Sequence, residues 1–286
     1  MPPEYRTRFA PSPTGPLHLG HAFSALTAFD RARQQGGQFL LRIEDTDLAR
    51  CRPEHEAAIT DDLHWLGLDW PIPVLRQSDH LPTYEAALNR LIVLDICYPC
   101  RCRRSDIRAA LSAPQEGATH LPPDGAVYPG TCRHRTMADR APRDAIRLNL
   151  ARALGLLTAP DQLGFQETGV YPGWHPLCPH RLIQTCGDVV LARKDIAAAS
   201  YHLCVVVDDA RQGITEVVRG TDLAEATPIH RLLQALLELP TPTYHHHRLI
   251  RDEAGKRLAK RDDARALSLY RAEGASPQDI RRMVGL

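Results

Sequence analysis

The start of the chain places a strand, a rigid turn, a helix and a second strand one after another, and this order limits the fold. The segment at 5–10 predicts a short strand, which ends in the proline-rich turn PSPTGP at 11–16. Apolar side chains then recur at helical spacing over 20–35, and two glycines end that run. Residues 38–43 predict a second strand. Together these elements form a βαβ unit, so we expect a parallel sheet with a right-handed crossover.

The rest of the chain carries further helix and strand signals, so the predicted fold class is α/β. The apolar run at 204–207 predicts a strand, and the segment EVVR at 216–219, before Gly220, predicts another. Residues 97–187 are irregular and rich in Pro and Gly, which indicates an insertion. Amphipathic patterns predict helices over 54–66, 83–94, 228–238, 264–273 and 277–284.

Composition and charge exclude several classes of protein. Apolar residues make up 43% of the 286 residues, so the chain buries a core and disorder is not expected as the main state. The 35 basic and 34 acidic residues nearly cancel, and any nucleic-acid surface must therefore be a local patch. The sequence shows neither the apolar core of a signal peptide nor a membrane-spanning apolar run, so we expect a cytoplasmic protein.

The turn before the first helix carries four residues suited to phosphate chemistry, Gly15, His18, Gly20 and His21. Exposed N–H groups and the dipole at a helix start favour anions such as the phosphates of ATP. Glycine lets an adenine ring approach the backbone, and imidazoles donate hydrogen bonds to phosphate oxygens in a transition state. Taken alone, a His-x-Gly-His tetrapeptide is more often a helix cap than a catalyst.

The cysteines near the start of the insertion suggest a metal site. Cys100 and Cys102 are followed by Tyr128 and Cys132, with His134 two residues further on. Three thiolates with a phenol or an imidazole match a closed, tetrahedral structural zinc site. The Cys-x-Cys spacing is less common than Cys-x2-Cys, so from spacing alone zinc and free buried thiols are equal alternatives.

Longer strings resemble the glutamyl/glutaminyl-tRNA synthetase family, which belongs to class I of the aminoacyl-tRNA synthetases. The matching strings are RFAPSPTGPLHLGH at 8–21, RIEDTD at 42–47, VVDD at 206–209 and GITEVVRGTDL at 213–223. RLAKR at 257–261 corresponds to the second nucleotide motif of the family. The resemblance implies a Rossmann-type catalytic domain in two halves, 1–96 and 188–245. The insertion at 97–187 would carry zinc, and 246–286 would be the second-motif loop with a short helical tail.

The resemblance also implies the site residues. For ATP and catalysis it implies His18, His21 and Lys260, with Gly20 in the ATP site. A guanidinium for a carboxylate and a carboxylate for an amine suit a glutamate ligand. The implied glutamate pocket consists of Arg8, Phe9, Ala10, Pro11, Ser12, Glu44, Tyr201 and Arg219.

The second motif departs from the family pattern Lys-Leu/Met-Ser-Lys-Arg, because Arg257 replaces the first lysine and Ala259 replaces the serine. Lys260 remains, and its ammonium suits the departing pyrophosphate, so glutamate activation is expected to survive. The family carries zinc in its insertion, and short members close that site with Tyr-x3-Cys. The resemblance therefore favours Tyr128, with His134 as the alternative fourth ligand.

Few residues follow the second motif, so we expect no separate anticodon-binding domain. In the short members of the family, glutamate is activated with Mg²⁺-ATP and transferred to queuosine in the anticodon loop of tRNA(Asp). The resemblance implies the same activity and partners here, with one structural Zn²⁺ and a monomeric enzyme. The alternatives are a minimal synthetase that charges a tRNA 3′ end, a non-catalytic tRNA-binding paralogue and a nucleotidyltransferase acting on a small metabolite.

Three consecutive histidines at 245–247 lie close before the second motif. Consecutive side chains of a strand point in different directions, so one metal shared by all three is not expected. We interpret them as polar loop residues near the ATP site.

Overall fold

The computed structural model describes residues 4–103, 105–107, 127–159, 162–193, 199–251 and 265–286. Its strands are β1 (Arg6–Phe9), β2 (Gln38–Ile43), β3 (Leu75–Arg76), β4 (Cys97–Cys100), β5 (Ala145–Leu148), β6 (Gly164–Glu167), β7 (Gly173–Pro176), β8 (Val190–Ala192), β9 (Glu216–Gly220) and β10 (Thr243–His247). Its α-helices are α1 (Leu19–Gln34), α2 (Pro53–Trp65), α3 (Leu81–Val93), α4 (Leu150–Gly155), α5 (Pro179–Thr185), α6 (Tyr201–Arg211), α7 (Thr227–Leu236), α8 (Leu267–Ala272) and α9 (Pro277–Val284).

The first βαβ unit is confirmed. Strands β1 and β2 pair in parallel, with Arg6 opposite Gln38 and Phe9 opposite Leu41, and β3 extends the sheet beyond β2. Helix α1 connects β1 to β2, and its apolar face is buried beside Phe9 and Leu41. Because the buried apolar residues of α1 recur every three to four residues, the sequence pattern located this helix to within one residue.

A second sheet continues the first one. Its strand order is β7-β6-β10-β9, with β10 parallel to both β6 and β9. The backbone N–H of Thr215 donates to the carbonyl of Arg6 at 3.0 Å, so β9 starts beside β1. Further along the two strands, Nη1 of the Arg8 side chain donates to the carbonyl of Val218 at 3.2 Å. The carboxyl ends of β1, β9 and β10 therefore open on the same edge, where α/β sheets place their ligands.

The third sheet is antiparallel, with the order β4-β5-β8. It packs with α3, α4, α6 and α7 around one core. Strand β6 lies within the predicted insertion at 97–187 yet pairs with β10, while β8 lies after that segment and pairs with β5. These pairings cross the predicted boundary at 187, and the division into domains stays a prediction.

The strand predicted at 204–207 is wrong, because these residues belong to helix α6. All residues from His202 to Asp209 are buried, including the polar ones. A helix buried on every side has no polar face, so its sequence shows an unbroken apolar run like that of a buried strand. The histidines at 245–247 were predicted in a loop, but they form the last residues of β10.

The end of the chain returns to the first helix. Helix α9 places Ile280 and Val284 in the core that α1 shares. Arg281 also donates to both carboxylate oxygens of Asp30, at 2.7 and 2.9 Å. No helix in the described part of the chain is long and apolar enough to cross a membrane.

Candidate active site

A cavity of about 360 Å³ opens at the carboxyl ends of β1, β9 and β10. Residues from three strings far apart in the sequence meet there. Nine residues predicted for the glutamate or ATP site line it: Arg8, Phe9, Ala10, His18, Gly20, His21, Glu44, Tyr201 and Arg219.

His18 and His21 form a capping box at the start of α1. Nδ1 of His18 accepts a hydrogen bond from the Gly20 N–H at 3.1 Å, and Nδ1 of His21 accepts from the His18 N–H at 3.2 Å. Because both Nδ1 atoms accept, each neutral ring carries its proton on Nε2. The ring centroids lie 3.8 Å apart at the cavity wall, with the ring planes tilted by 31°. The cap therefore prepares two Nε2–H donors suited to phosphate oxygens.

Gly20 leaves space for this arrangement. A Cβ atom at this position would lie 3.0 Å from Cε1 of the His18 ring, a distance tighter than most side chains tolerate. The glycine therefore allows the His18 ring to fold back over the first turn of α1.

Arg8 is held by a carboxylate behind the cavity. Its Nε and Nη2 donate to the two carboxylate oxygens of Asp209, at 2.9 and 3.3 Å. Arg42 is fully buried and donates to the same carboxylate at 2.7 Å. Burial works to raise the pKa of Asp209, but the two guanidinium groups lower it below its usual range. Asp209 therefore stays ionised and fixes the position of Arg8.

Glu44 contributes a carboxylate to the same cavity. Its backbone N–H donates to the carbonyl of Pro11 at 3.0 Å, and its Oε1 accepts from Arg42 at 3.2 Å. Burial raises the pKa of Glu44, although Arg42 and Arg8 act in the opposite direction. An ammonium group placed beside this carboxylate would favour its ionised form, which suits the amine of an amino acid.

Arg219 lies across the cavity at the end of β9. Its Nη1 lies 3.5 Å from the hydroxyl oxygen of Tyr201, and its Nη2 donates to Oγ1 of Thr227 at 2.6 Å. Tyr201 starts helix α6, so the residue predicted to precede a strand reaches the cavity from a helix. A guanidinium and a phenol side by side suit a carboxylate ligand.

Two predicted site residues, Pro11 and Ser12, are not among the described residues that line the cavity. Pro11 acts through its carbonyl, which holds the Glu44 backbone, and Ser12 accepts from the Thr14 N–H with its own carbonyl at 2.8 Å. Lys260, with the rest of the second motif, lies outside the described residues. The sequence prediction missed Asp222 and Arg248, which also line the cavity; His247, one of the three histidines predicted near the ATP site, lines it too. Asp222 falls within the matching string at 213–223, and this position could have pointed to it.

The predicted metal ligands also come together. The sulfur atoms of Cys100, Cys102 and Cys132 lie within 4.8 Å of one another. The hydroxyl oxygen of Tyr128 lies 3.4 Å from Sγ of Cys100 and 3.5 Å from Sγ of Cys102. Three thiols and a phenol around one point fit the donor set of a structural zinc site.

The electrostatics around the thiols favour one thiolate at neutral pH. Burial works to raise the pKa of Cys132, but hydrogen bonds with Tyr128, with the Arg101 backbone and with the other two thiols lower it to about 7. Burial raises the pKa of Cys102 to about 11. Behind the phenol, the guanidinium of Arg147 lies 3.9 Å from the centre of the Tyr128 ring. A metal would further favour the thiolate forms.

Known proteins match the chain along most of its length. A family model described as the catalytic domain of class I tRNA synthetases (E and Q) matches residues 4–143 and 181–286. A glutamyl-Q tRNA(Asp) synthetase from Rhodobacter capsulatus is 60% identical over 98% of this chain and 99% of its own length. A protein of the same name from Nocardia farcinica is 42% identical over 96% of this chain and 81% of its own length.

A solved structure shares the fold. A glutamate tRNA ligase from Elizabethkingia meningosepticum, crystallised in complex with its amino acid, matches 99% of this chain with a TM-score of 0.74 and 26% identity. The chain spans 60% of the length of that ligase. The α/β fold of a class I synthetase catalytic domain, predicted from the sequence, is confirmed by these matches.

Proposed function

This chain belongs to the class I tRNA synthetases (E and Q), and we propose from that membership that it activates L-glutamate with ATP and transfers the glutamyl group to queuosine in tRNA(Asp). The acceptor is supported by the names of relatives that the chain matches over nearly its whole length. The proposed acceptor position is the cyclopentenediol of queuosine in the anticodon loop.

One observation carries the proposal: the charged groups suited to glutamate and the helix start suited to phosphates line the same cavity. Arg219 and Arg8 would face the carboxylates of glutamate, and Glu44 would face its ammonium group. His18 and His21 would donate to the phosphates of ATP from the start of α1. The two substrates would therefore bind in one cavity.

The proposed chemistry has two steps. A carboxylate oxygen of glutamate attacks the α-phosphorus of ATP, and pyrophosphate leaves with the negative charge that His18, His21 and Lys260 would stabilise. A hydroxyl of the acceptor then attacks the carbonyl carbon of the glutamyl-adenylate, and AMP leaves. Mg²⁺ would accompany ATP and neutralise part of its phosphate charge.

We also propose a structural zinc ion bound by Cys100, Cys102, Cys132 and Tyr128. The distances among the three sulfur atoms and the phenol support this ligand set. The ion would hold together the insertion strand β4 and the segment after residue 127. The cellular location and the oligomeric state stay predictions.

Two assays test the proposed function. Glutamate-dependent exchange of labelled pyrophosphate into ATP, without tRNA, tests the activation step. Transfer of labelled glutamate onto tRNA(Asp) prepared with and without queuosine tests the acceptor. Activity in the first assay, and in the second only with queuosine, is the expected result.

The rival functions predict different results in the same assays. A minimal synthetase that charges the 3′ end would lose transfer when the terminal CCA is removed from the tRNA, whereas the proposed enzyme would keep it. A non-catalytic paralogue would show no pyrophosphate exchange with any amino acid. Either result would refute the proposal.

A further inference from the structure

Arg219 is held from behind by groups that carry no net charge. Its Nε donates to Nε2 of His246 at 3.1 Å, and its Nη1 donates to Nδ1 of His230 at 3.1 Å. Thr227 accepts from Nη2. A guanidinium has only donors, so both imidazole nitrogens that face it must accept and must be unprotonated.

The tautomer of His246 is fixed by a carboxylate on its other side. Nδ1 of His246 hydrogen-bonds to Oε2 of Glu167, at the end of the neighbouring strand β6. Since Nε2 accepts from Arg219, Nδ1 carries the proton and donates it to this oxygen. Both side chains are buried, with exposures of 2% for Glu167 and 2% for His246.

Glu167 is itself held in one orientation. Its Oε1 accepts two backbone hydrogen bonds, from His246 N–H at 2.9 Å and from Gly169 N–H at 2.6 Å. Burial works to raise the pKa of Glu167, but the hydrogen bond with the His246 side chain and these two backbone contacts lower it to about 2, so it remains a carboxylate. Oε2 is therefore the oxygen that meets the imidazole.

Neutral partners leave the charge of Arg219 available. Arg8 and Arg42 share the carboxylate of Asp209, but within the described part of the chain no carboxylate lies at ion-pair distance from Arg219. An ion pair at this position would orient the guanidinium and also neutralise it. Histidines orient it and leave the positive charge for a ligand in the cavity.

We infer that Glu167 and His246 are positioning residues that act through Arg219 to set the affinity of the site for the carboxylate of glutamate. This inference rests on the proposed function. His246 would not touch the substrate, and its contribution is the fixed direction of the Arg219 guanidinium toward the cavity.

Glu167→Gln tests the inference because the backbone dictates how the new amide is oriented. The two N–H donors at Oε1 require the amide oxygen there, which places the amide NH2 group against Nδ1 of His246. Nδ1 must then accept, and the imidazole proton moves to Nε2, where it opposes the N–H of Arg219. We expect the KM for glutamate in pyrophosphate exchange to rise about 10- to 100-fold, as for loss of a hydrogen bond to a charged group. The KM for ATP should change less than threefold.

Two substitutions of His246 provide a matched pair. The amide oxygen of Gln reaches the place of Nε2 and keeps an acceptor for Arg219, whereas the shorter Asn leaves that place empty. His246→Asn should therefore raise the KM for glutamate well above that of His246→Gln. This pair decides the matter even if Glu167→Gln does not fold.

Glu216→Gln is the control for general damage to the sheet. Glu216 is a buried carboxylate on β9 that pairs with Arg31, at 2.6 and 2.7 Å, and makes no contact with Arg219 among the described interactions. Its substitution should lower the melting temperature and leave the KM for glutamate unchanged. With an active wild type, two results would overturn the inference. One is a KM for glutamate of Glu167→Gln equal to that of wild type, and the other is an equal KM for glutamate in the Asn and Gln variants of His246. An inactive wild type would instead refute the proposed function.

Discussion

Substitution of His18 separates its two roles, as the cap of α1 and as a donor to ATP. Replacing it with Ala removes the acceptor for the Gly20 N–H and should cost about 1 kcal/mol of folding free energy. For a domain of this size, that corresponds to a drop of about 2–4 °C in melting temperature. Replacing it with Asn supplies a favoured N-cap residue, so His18→Asn should melt within about 1 °C of wild type.

Activity should respond differently from stability. Neither Ala nor Asn places a donor where Nε2–H of His18 lies, so both variants should lose about 100- to 1,000-fold in the rate of pyrophosphate exchange. The assay is exchange of labelled pyrophosphate at saturating glutamate and ATP, paired with thermal melting followed by circular dichroism. The informative comparison is the Asn variant, in which the cap is restored and the imidazole is absent.

The reasoning would be refuted by an Asn variant that exchanges pyrophosphate at the wild-type rate. In that case His18 would be a helix cap only, and the phosphates would bind elsewhere in the cavity. A fall in activity that simply follows the fall in melting temperature across the Ala and Asn variants would also contradict the proposed donor role.

Four further predictions concern other parts of the chain. Cys100→Ser should release bound zinc, measured by emission spectroscopy, whereas Cys97→Ser should retain it. Lys260→Ala should depress pyrophosphate exchange with little change in melting temperature. Asp209→Asn should leave the buried Arg8 without its carboxylate partner and remove one of the partners of the buried Arg42, at a cost of about 3–5 kcal/mol in urea unfolding. Burial raises the pKa of Asp62 from 3.8 to about 6. The free energy of unfolding is therefore highest below pH 3.8, where Asp62 is protonated in the folded and unfolded states, and part of it is lost as the pH rises through about 6. Relative to wild type, the free energy of unfolding of Asp62→Asn should rise by up to about 3 kcal/mol between pH 4 and 8.

The sequence predicted best the elements whose apolar residues form a recognisable pattern. Helix α1 buries one face, so its apolar residues recur with the helical period, and strand β2 was recognised as a short, compact apolar run. The prediction failed at α6, where burial on all sides removes the period. The three consecutive histidines suggested a loop, but they end β10. The partners of His246, which are Glu167 and Arg219, lie far away in the sequence, so no local pattern indicated the strand.

The site could be predicted where one string carries several functional groups. The segment from Arg8 to His21 contributes residues to both predicted subsites, and the strings at 42–47 and 213–223 contribute residues to the same cavity. The groups behind the cavity could not be predicted in this way. Glu167, His230 and Thr227 act through contacts made by tertiary packing, and no local pattern marks them.

The same contacts that stabilise the fold decide which atoms of the site carry protons. Backbone N–H groups at the start of α1 donate to Nδ1 of His18 and of His21, which leaves the proton of each neutral ring on Nε2. Glu167 accepts the proton of His246, which turns the lone pair of that ring toward Arg219. Two rings thus become donors and one becomes an acceptor at neutral charge. Because these tautomers are imposed by helix capping and strand packing, the donors for a phosphate and the cation for a carboxylate are in place before any substrate binds.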